Sequence, residues 1–171
     1  MIPSYALGIL AQGNCPALVK GGVFSSQDRV FFAWDRSGLT GIRKAVAIES
    51  QKNGCSSAKA FLAVSVRTAA SFEAADDWLL PPECLDTSPE NVWYDPLEKR
   101  VLLCLAEKSA AQNDTQNSMP FALFELLLQL AAFEAPEVYP YIKKLSKRAK
   151  EENLPLSAIK KELSQRLIGP G

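Results

Sequence analysis

The order of hydrophobic patterns along the chain predicts an α+β fold. Two β-leaning runs, residues 16–24 and 29–35, lie near the start, and a wide helical stripe runs from about Ser57 to Leu79. Two further β-rich runs follow, residues 91–95 and 100–106, and three helix-like segments close the sequence. Strands and helices that come in blocks, without strict alternation, indicate α+β, not a parallel α/β sheet.

Residues 4–12 read as a short helix that Gly13 and Asn14 end, since both tolerate the left-handed conformation at a helix terminus. Ser25, Ser26, Gln27 and Asp28 separate the first two apolar runs as a turn, which predicts a hairpin. Residues 37–49 are ambiguous: Gly38 and Gly41 weaken a helix, and Ala45-Val46-Ala47-Ile48 suits either state. Residues 51–54 form a polar break. Ser56 or Ser57 then caps the long helix, whose Phe61, Leu62, Ser65, Ala69, Phe72, Ala75 and Leu79 recur at spacings of three and four, and Pro81-Pro82 stops it.

Pro96, Leu97, Glu98 and Lys99 connect a second hairpin. Residues 107–118 are polar and low in complexity, a mobile surface loop by composition. The first closing helix has Pro120 in its opening turn. The second runs from near Pro136 to about Asn153, with Pro140 early enough to be tolerated. The third starts near Pro155 and carries Leu156, Ile159, Leu163 and Leu167 on one face.

The chain has 171 residues and equal numbers of basic and acidic side chains, 19 each, so bulk charge draws it to neither nucleic acid nor an anionic membrane. It has no histidine, which excludes Ser-His-Asp and Cys-His nucleophilic sites, histidine bases and His-containing zinc sites. Cys15, Cys55, Cys84 and Cys104 are scattered without a C-x-x-C pair. A domain of this size needs no disulfide staples and no secretory signal opens the chain, so four reduced thiols are expected over two disulfides. Cys104, inside an apolar run, reads as a small buried hydrophobe. The longest apolar stretch, residues 119–132, is too short for a bilayer, which needs about 20 residues. The expected location is cytoplasmic, as a free domain or as the cytosolic part of a membrane protein.

One segment invites chemistry: Cys84-Leu85-Asp86-Thr87-Ser88-Pro89-Glu90-Asn91. Asp86 and Asn91 stand five positions apart, and the segment resembles a protein-kinase catalytic loop, H-R-D-L-x-P-x-N, which is followed by two short strands and D-F-G. Aligned so, Asp86 falls on the catalytic aspartate, Asn91 on the magnesium-binding asparagine, and Leu105-Ala106-Glu107 on D-F-G. Phosphoryl transfer relies on magnesium held chiefly by the D-F-G aspartate, and leucine offers that ion no lone pair. No G-x-G-x-x-G loop is present. Val46-Ala47-Ile48-Glu49 mimics V-A-I-K but places glutamate where lysine must meet phosphate. Asp86 and Asn91 are therefore expected as relic, turn-forming positions. Catalytic, cofactor-binding and metal-ligating residues are expected to be none, with no cofactor.

A wider resemblance rests on short matches along most of the chain: Asn14-Cys15-Pro16-Ala17-Leu18-Val19 after the first helix, Phe31-Phe32-Ala33-Trp34-Asp35 at the end of the first hairpin, Pro89-Glu90-Asn91-Val92-Trp93-Tyr94-Asp95 after the long helix, and Glu152-Asn153-Leu154-Pro155-Leu156 before the last. In these the chain resembles the pseudokinase-like domain found ahead of forkhead-associated modules in Gram-positive bacteria, and the related cytosolic domain of the type VII secretion subunit EssB (YukC). The resemblance implies a reduced kinase-like fold: residues 1–50 as the remnant of a small lobe, 51–168 as a mainly helical lobe with the second hairpin, and 169–171 as a tail. It implies a catalytically inactive scaffold or protein-interaction domain within a larger signalling or secretion protein. A nucleotide-binding pseudokinase without turnover is the alternative, and a DNA-binding module a further one.

Residues 143–166 carry eight basic side chains (Lys143, Lys144, Lys147, Arg148, Lys150, Lys160, Lys161, Arg166) against Glu151, Glu152 and Glu162. A solvated helix face accounts for this, and contact with an anionic membrane or an acidic partner is the sharper reading. The expected partner is a protein. No nucleic acid is expected, because no helix offers a set of Asn, Gln and Arg suited to base edges.

Overall fold

The long central helix organises the molecule because its alanines let neighbours approach from several sides. The computed structural model describes residues 2–26, 29–106 and 118–169. Among them lie six α-helices and two small antiparallel sheets, in the mixed α+β class that the patterning predicts.

Helix α1 (Ser4–Gln12) ends where Gly13 takes φ 66°, a conformation that costs glycine nothing. Strands β1 (Gly21–Ser26) and β2 (Arg29–Trp34) form a two-stranded sheet with Gly21 opposite Trp34 and Phe24 opposite Phe31. Gly21 has a steric reason: a Cβ there would meet the Ala33 carbonyl oxygen at 2.5 Å and the Trp34 ring at 2.8 Å. The expected strand over residues 16–24 is shorter. Residues 16–20 instead turn and cross to Leu103, with the Leu103 N–H donating to the Ala17 carbonyl (2.7 Å) and the Val19 N–H to the Leu103 carbonyl (2.9 Å). Part of the expected turn, Gln27 and Asp28, lies outside the described residues.

The ambiguous residues 37–49 resolve into a two-residue strand β3 (Thr40–Gly41) and helix α2 (Ile42–Asn53). Helix α2 continues through the expected polar break, since Gln51, Lys52 and Asn53 are exposed and need no apolar face. Helix α3 (Ser57–Asp77) is capped by Ser56, whose hydroxyl accepts from the Lys59 N–H at 3.3 Å. It stops two residues before Leu79, which adopts φ 57° while the Leu80 N–H reaches back to the Ala75 carbonyl. That turn, ahead of Pro81-Pro82, is what ends the helix.

Strands β4 (Trp93–Asp95) and β5 (Arg100–Leu102) make the second hairpin, and β3 adds to its edge in the order β3-β4-β5. The Asp95 carboxylate accepts the Leu97 and Glu98 N–H groups (3.0 and 3.1 Å) and so shapes the turn. Both strands are shorter than expected. Pro89–Asn91 is a 3-10 turn, and beyond Leu102 the chain pairs only by single bridges, Leu18 with Leu103 and Leu85 with Leu105. The low-complexity stretch expected as a mobile loop falls, through residue 117, outside the described residues.

Helices α4 (Met119–Glu134), α5 (Tyr139–Glu151) and α6 (Leu156–Ile168) follow, each with proline at or just before its first turn. Helix α4 buries Leu123, Leu126, Leu127 and Leu130 completely, while α5 buries only Ile142, Leu145 and Ala149. Helix α6 packs along α3, and Lys160 pairs with Glu73 between them. One core runs from Ile2 to Leu163 and draws on every helix. No disulfide joins Cys15, Cys55, Cys84 and Cys104. No helix among the described residues is long and apolar enough to cross a membrane.

Candidate functional site

The segment from Asp86 to Asn91 is a tightly bonded turn. Residues 84–86 run antiparallel to residues 104–106: the Asp86 N–H donates to the Cys104 carbonyl and the Ala106 N–H to the Cys84 carbonyl, both at 2.9 Å. This pairing lets Leu85 and Leu105 face each other in the core, at 0% and 2% exposure. Both oxygens of Asp86 are engaged. Oδ1 accepts the Ser88 N–H at 2.9 Å, and Oδ2 accepts from the Asn91 side-chain amide at 2.7 Å. Asp86 and Asn91 are thus brought together, each as the other's partner.

The rest of the loop is tied down on three sides. Thr87 donates its hydroxyl to Glu125 on α4 at 2.6 Å. Pro89 is buried. Glu90 receives Arg43 of α2 at 2.9 Å, and that hydrogen bond holds its carboxyl below the usual range. Arg43 also lies 5.1 Å over the Phe133 ring and 3.9 Å from Glu134.

Beside the turn sits a second, smaller apolar cluster. Val19, Leu102 and Cys104 are buried there beneath Trp34, Leu39 and Trp93, and Arg36 stacks on Trp93 at 4.8 Å. Burial, and then the negative charge of Asp86, push the Cys104 thiol up to about 12, so it stays protonated at neutral pH. Leu105, the residue aligned with the metal-binding aspartate, belongs to the main core. Glu107, the third residue of that alignment, lies outside the described residues. Among the described residues no three cysteine, aspartate or glutamate side chains are grouped to hold a metal ion.

A charged cluster that the sequence reading did not assemble lies elsewhere in the core. Glu49 on α2 is 1% exposed. One oxygen accepts the Tyr94 hydroxyl; the other accepts Arg67 at 2.9 Å and the Asn53 amide at 3.1 Å. Arg67 also donates to the Tyr94 oxygen at 2.8 Å. Burial alone raises the Glu49 carboxyl, but the hydrogen bonds from Tyr94 and Arg67 outweigh it, and the net shift is downward. Tyr94 moves upward, through burial and through donating to a carboxylate. The helix containing Val46-Ala47-Ile48-Glu49 thus presents its glutamate to an arginine and a tyrosine, not to a phosphate. The signal was present in spacing: Glu49 stands seven residues after Ile42 and four after Ala45, on the buried stripe of α2.

No protein-family model matches the chain, and no curated protein or solved structure matches it either.

Proposed function

We propose that this chain is a reduced kinase-like domain that acts as an interaction scaffold without phosphoryl transfer. The order of elements supports the ancestry: a short helix, a hairpin, two helices, a turn bearing Asp86 and Asn91, a second hairpin, then helices. One observation carries the inactive reading. Asp86 is satisfied by Asn91 and Ser88, and the strand extension paired with it delivers Leu105 to the core where a kinase needs a metal-binding carboxylate. A base for a substrate hydroxyl must keep its carboxylate oxygens available, and here both oxygens of Asp86 accept from within the turn, one from the Ser88 N–H and one from the Asn91 side-chain amide.

The apolar cluster of Val19, Leu102 and Cys104 under Trp34, Leu39 and Trp93 also favours a scaffold over the nucleotide-binding alternative. These side chains come from the first hairpin and the segments on either side of it, and from the second hairpin and its extension, the region that the proposed alignment places around a kinase's nucleotide. Thermal unfolding with magnesium and ATP tests the choice. The scaffold reading expects no change in Tm up to millimolar nucleotide. Binding at a hundred times Kd would add about 2.7 kcal/mol, a shift of several degrees.

A further inference from the structure

Ammonium groups dominate the outward face of α5. Lys143, Lys147 and Lys150 follow at spacings of four and three, Lys144 lies beside them, and all four are exposed, with Lys147 at 78%. Ile142, Leu145 and Ala149 occupy the opposite, buried side. Among the described residues Lys147 has one acidic neighbour, Glu151 at 3.7 Å, and no carboxylate lies within ion-pair distance of Lys143, Lys144 or Lys150. Like charges spaced three and four apart on a helix repel, so fold stability alone does not favour this arrangement. The chain is neutral in total, yet residues 143–166 hold eight basic and three acidic side chains, leaving eleven basic and sixteen acidic elsewhere.

The chemistry of the face narrows its counterpart. The guanidinium groups nearby already have partners within the chain: Arg148 pairs with Glu162 at 2.9 Å, and Arg166 lies 5.5 Å over the Tyr141 ring. What points outward lacks the planar fork that reads carboxylates or phosphates in pairs, and carries no aromatic ring on which a base could stack. The surface is one convex helix, not a groove that would grip a peptide. On the neighbouring α6, Lys161 is exposed, and Ile168, at 83% exposure, offers an apolar tip just past Arg166. Four flexible point charges on a convex face suit a broad, laterally mobile field of negative charge.

We infer that the α5 face docks on an anionic lipid surface. This goes beyond the scaffold reading and does not depend on it. The test is co-sedimentation of the whole chain with vesicles of phosphatidylcholine containing 30% phosphatidylserine, against phosphatidylcholine alone. The expected result is binding to the anionic vesicles only, declining as salt rises. Each Lys→Gln exchange on the face weakens it roughly fivefold. The quadruple variant K143Q/K144Q/K147Q/K150Q loses binding, while K20Q/K44Q/K52Q/K59Q, equal in net charge and altered at exposed lysines elsewhere, keeps it. Three results overturn the inference: no binding to anionic vesicles at low ionic strength, equal loss in both quadruple variants, or tighter binding to a DNA duplex or to polyglutamate than to vesicles at matched anionic charge. The substituted lysines are exposed, and circular dichroism of both variants checks that they fold alike.

Discussion

Tyr94 donates its hydroxyl hydrogen to the carboxylate of Glu49, 45 positions earlier in the chain, and Arg67 closes the triangle by bonding to both. The three residues come from β4, α2 and α3, so this polar knot fixes the small sheet against the two helices beneath it. Its geometry matters because Glu49 is buried with its charge. A buried carboxylate is tolerated only while its partners stay in place.

Removing Arg67 therefore costs more than removing a surface cation. Arg67→Met leaves the Glu49 charge with Tyr94 and Asn53 alone, and a loss of about 3–5 kcal/mol is expected. Tyr94→Phe removes one donor and keeps the ring packing, for about 1–3 kcal/mol. Urea unfolding of the two variants measures both values, and their order is the informative result.

The same cluster sets a pH dependence. The Glu49 carboxyl is lowered in the folded protein, so its contribution is complete above the ordinary value of 4.5 and is lost as pH falls below that through the folded value. The Tyr94 hydroxyl is raised from 10.0, so its contribution is complete below pH 10 and is lost as pH climbs through the raised value. Unfolding free energy measured from pH 3 to 7 should drop on the acid side, and Glu49→Gln should flatten that drop while lowering stability at pH 7.

Leu79 offers a gain. It is 76% exposed and holds φ 57° just after α3, where a Cβ is unfavourable. Leu79→Gly should raise stability by roughly 0.5–1 kcal/mol, after the flexibility cost of glycine is subtracted from the relieved strain. The Tyr5 hydroxyl bonds to the Leu79 backbone carbonyl and is kept in the variant. A rise in the urea midpoint at unchanged slope is the expected reading.

As a turn former, Asp86 should matter locally. Asp86→Ala removes the acceptors of the Ser88 N–H and the Asn91 amide, for about 1 kcal/mol. Hydrogen exchange at the Ser88 backbone N–H should quicken, while amides of the α4 core keep their protection.

The helices other than α2, whose sequence is ambiguous, were legible because their signals are local. Ser56 and Ser118 cap α3 and α4, Pro120 opens α4, and the spacing of Leu156, Ile159 and Leu163 marks one face of α6. The strands were less so. Thr40–Gly41 is a strand only because Trp93 and Tyr94 lie alongside, and residues 16–20 leave the expected strand because Leu103 claims them. Such pairings are tertiary and leave no period in the sequence. The Asp86–Asn91 contact was half legible: their spacing drew notice and both were expected to form a turn, but the side-chain bond between the two was not expected. Glu49, Arg67 and Tyr94 are scattered over 46 residues, and only the placement of an acid on an apolar stripe hinted at them.

The central claim is that Asp86 and Asn91 serve a fold and not a reaction. Incubation of the purified chain with γ-labelled ATP and magnesium, alongside Asp86→Ala, tests it most directly. The account predicts no transfer of label to the chain or to a generic protein substrate by either protein. Metal-dependent transfer by the wild-type chain that disappears in Asp86→Ala would contradict it.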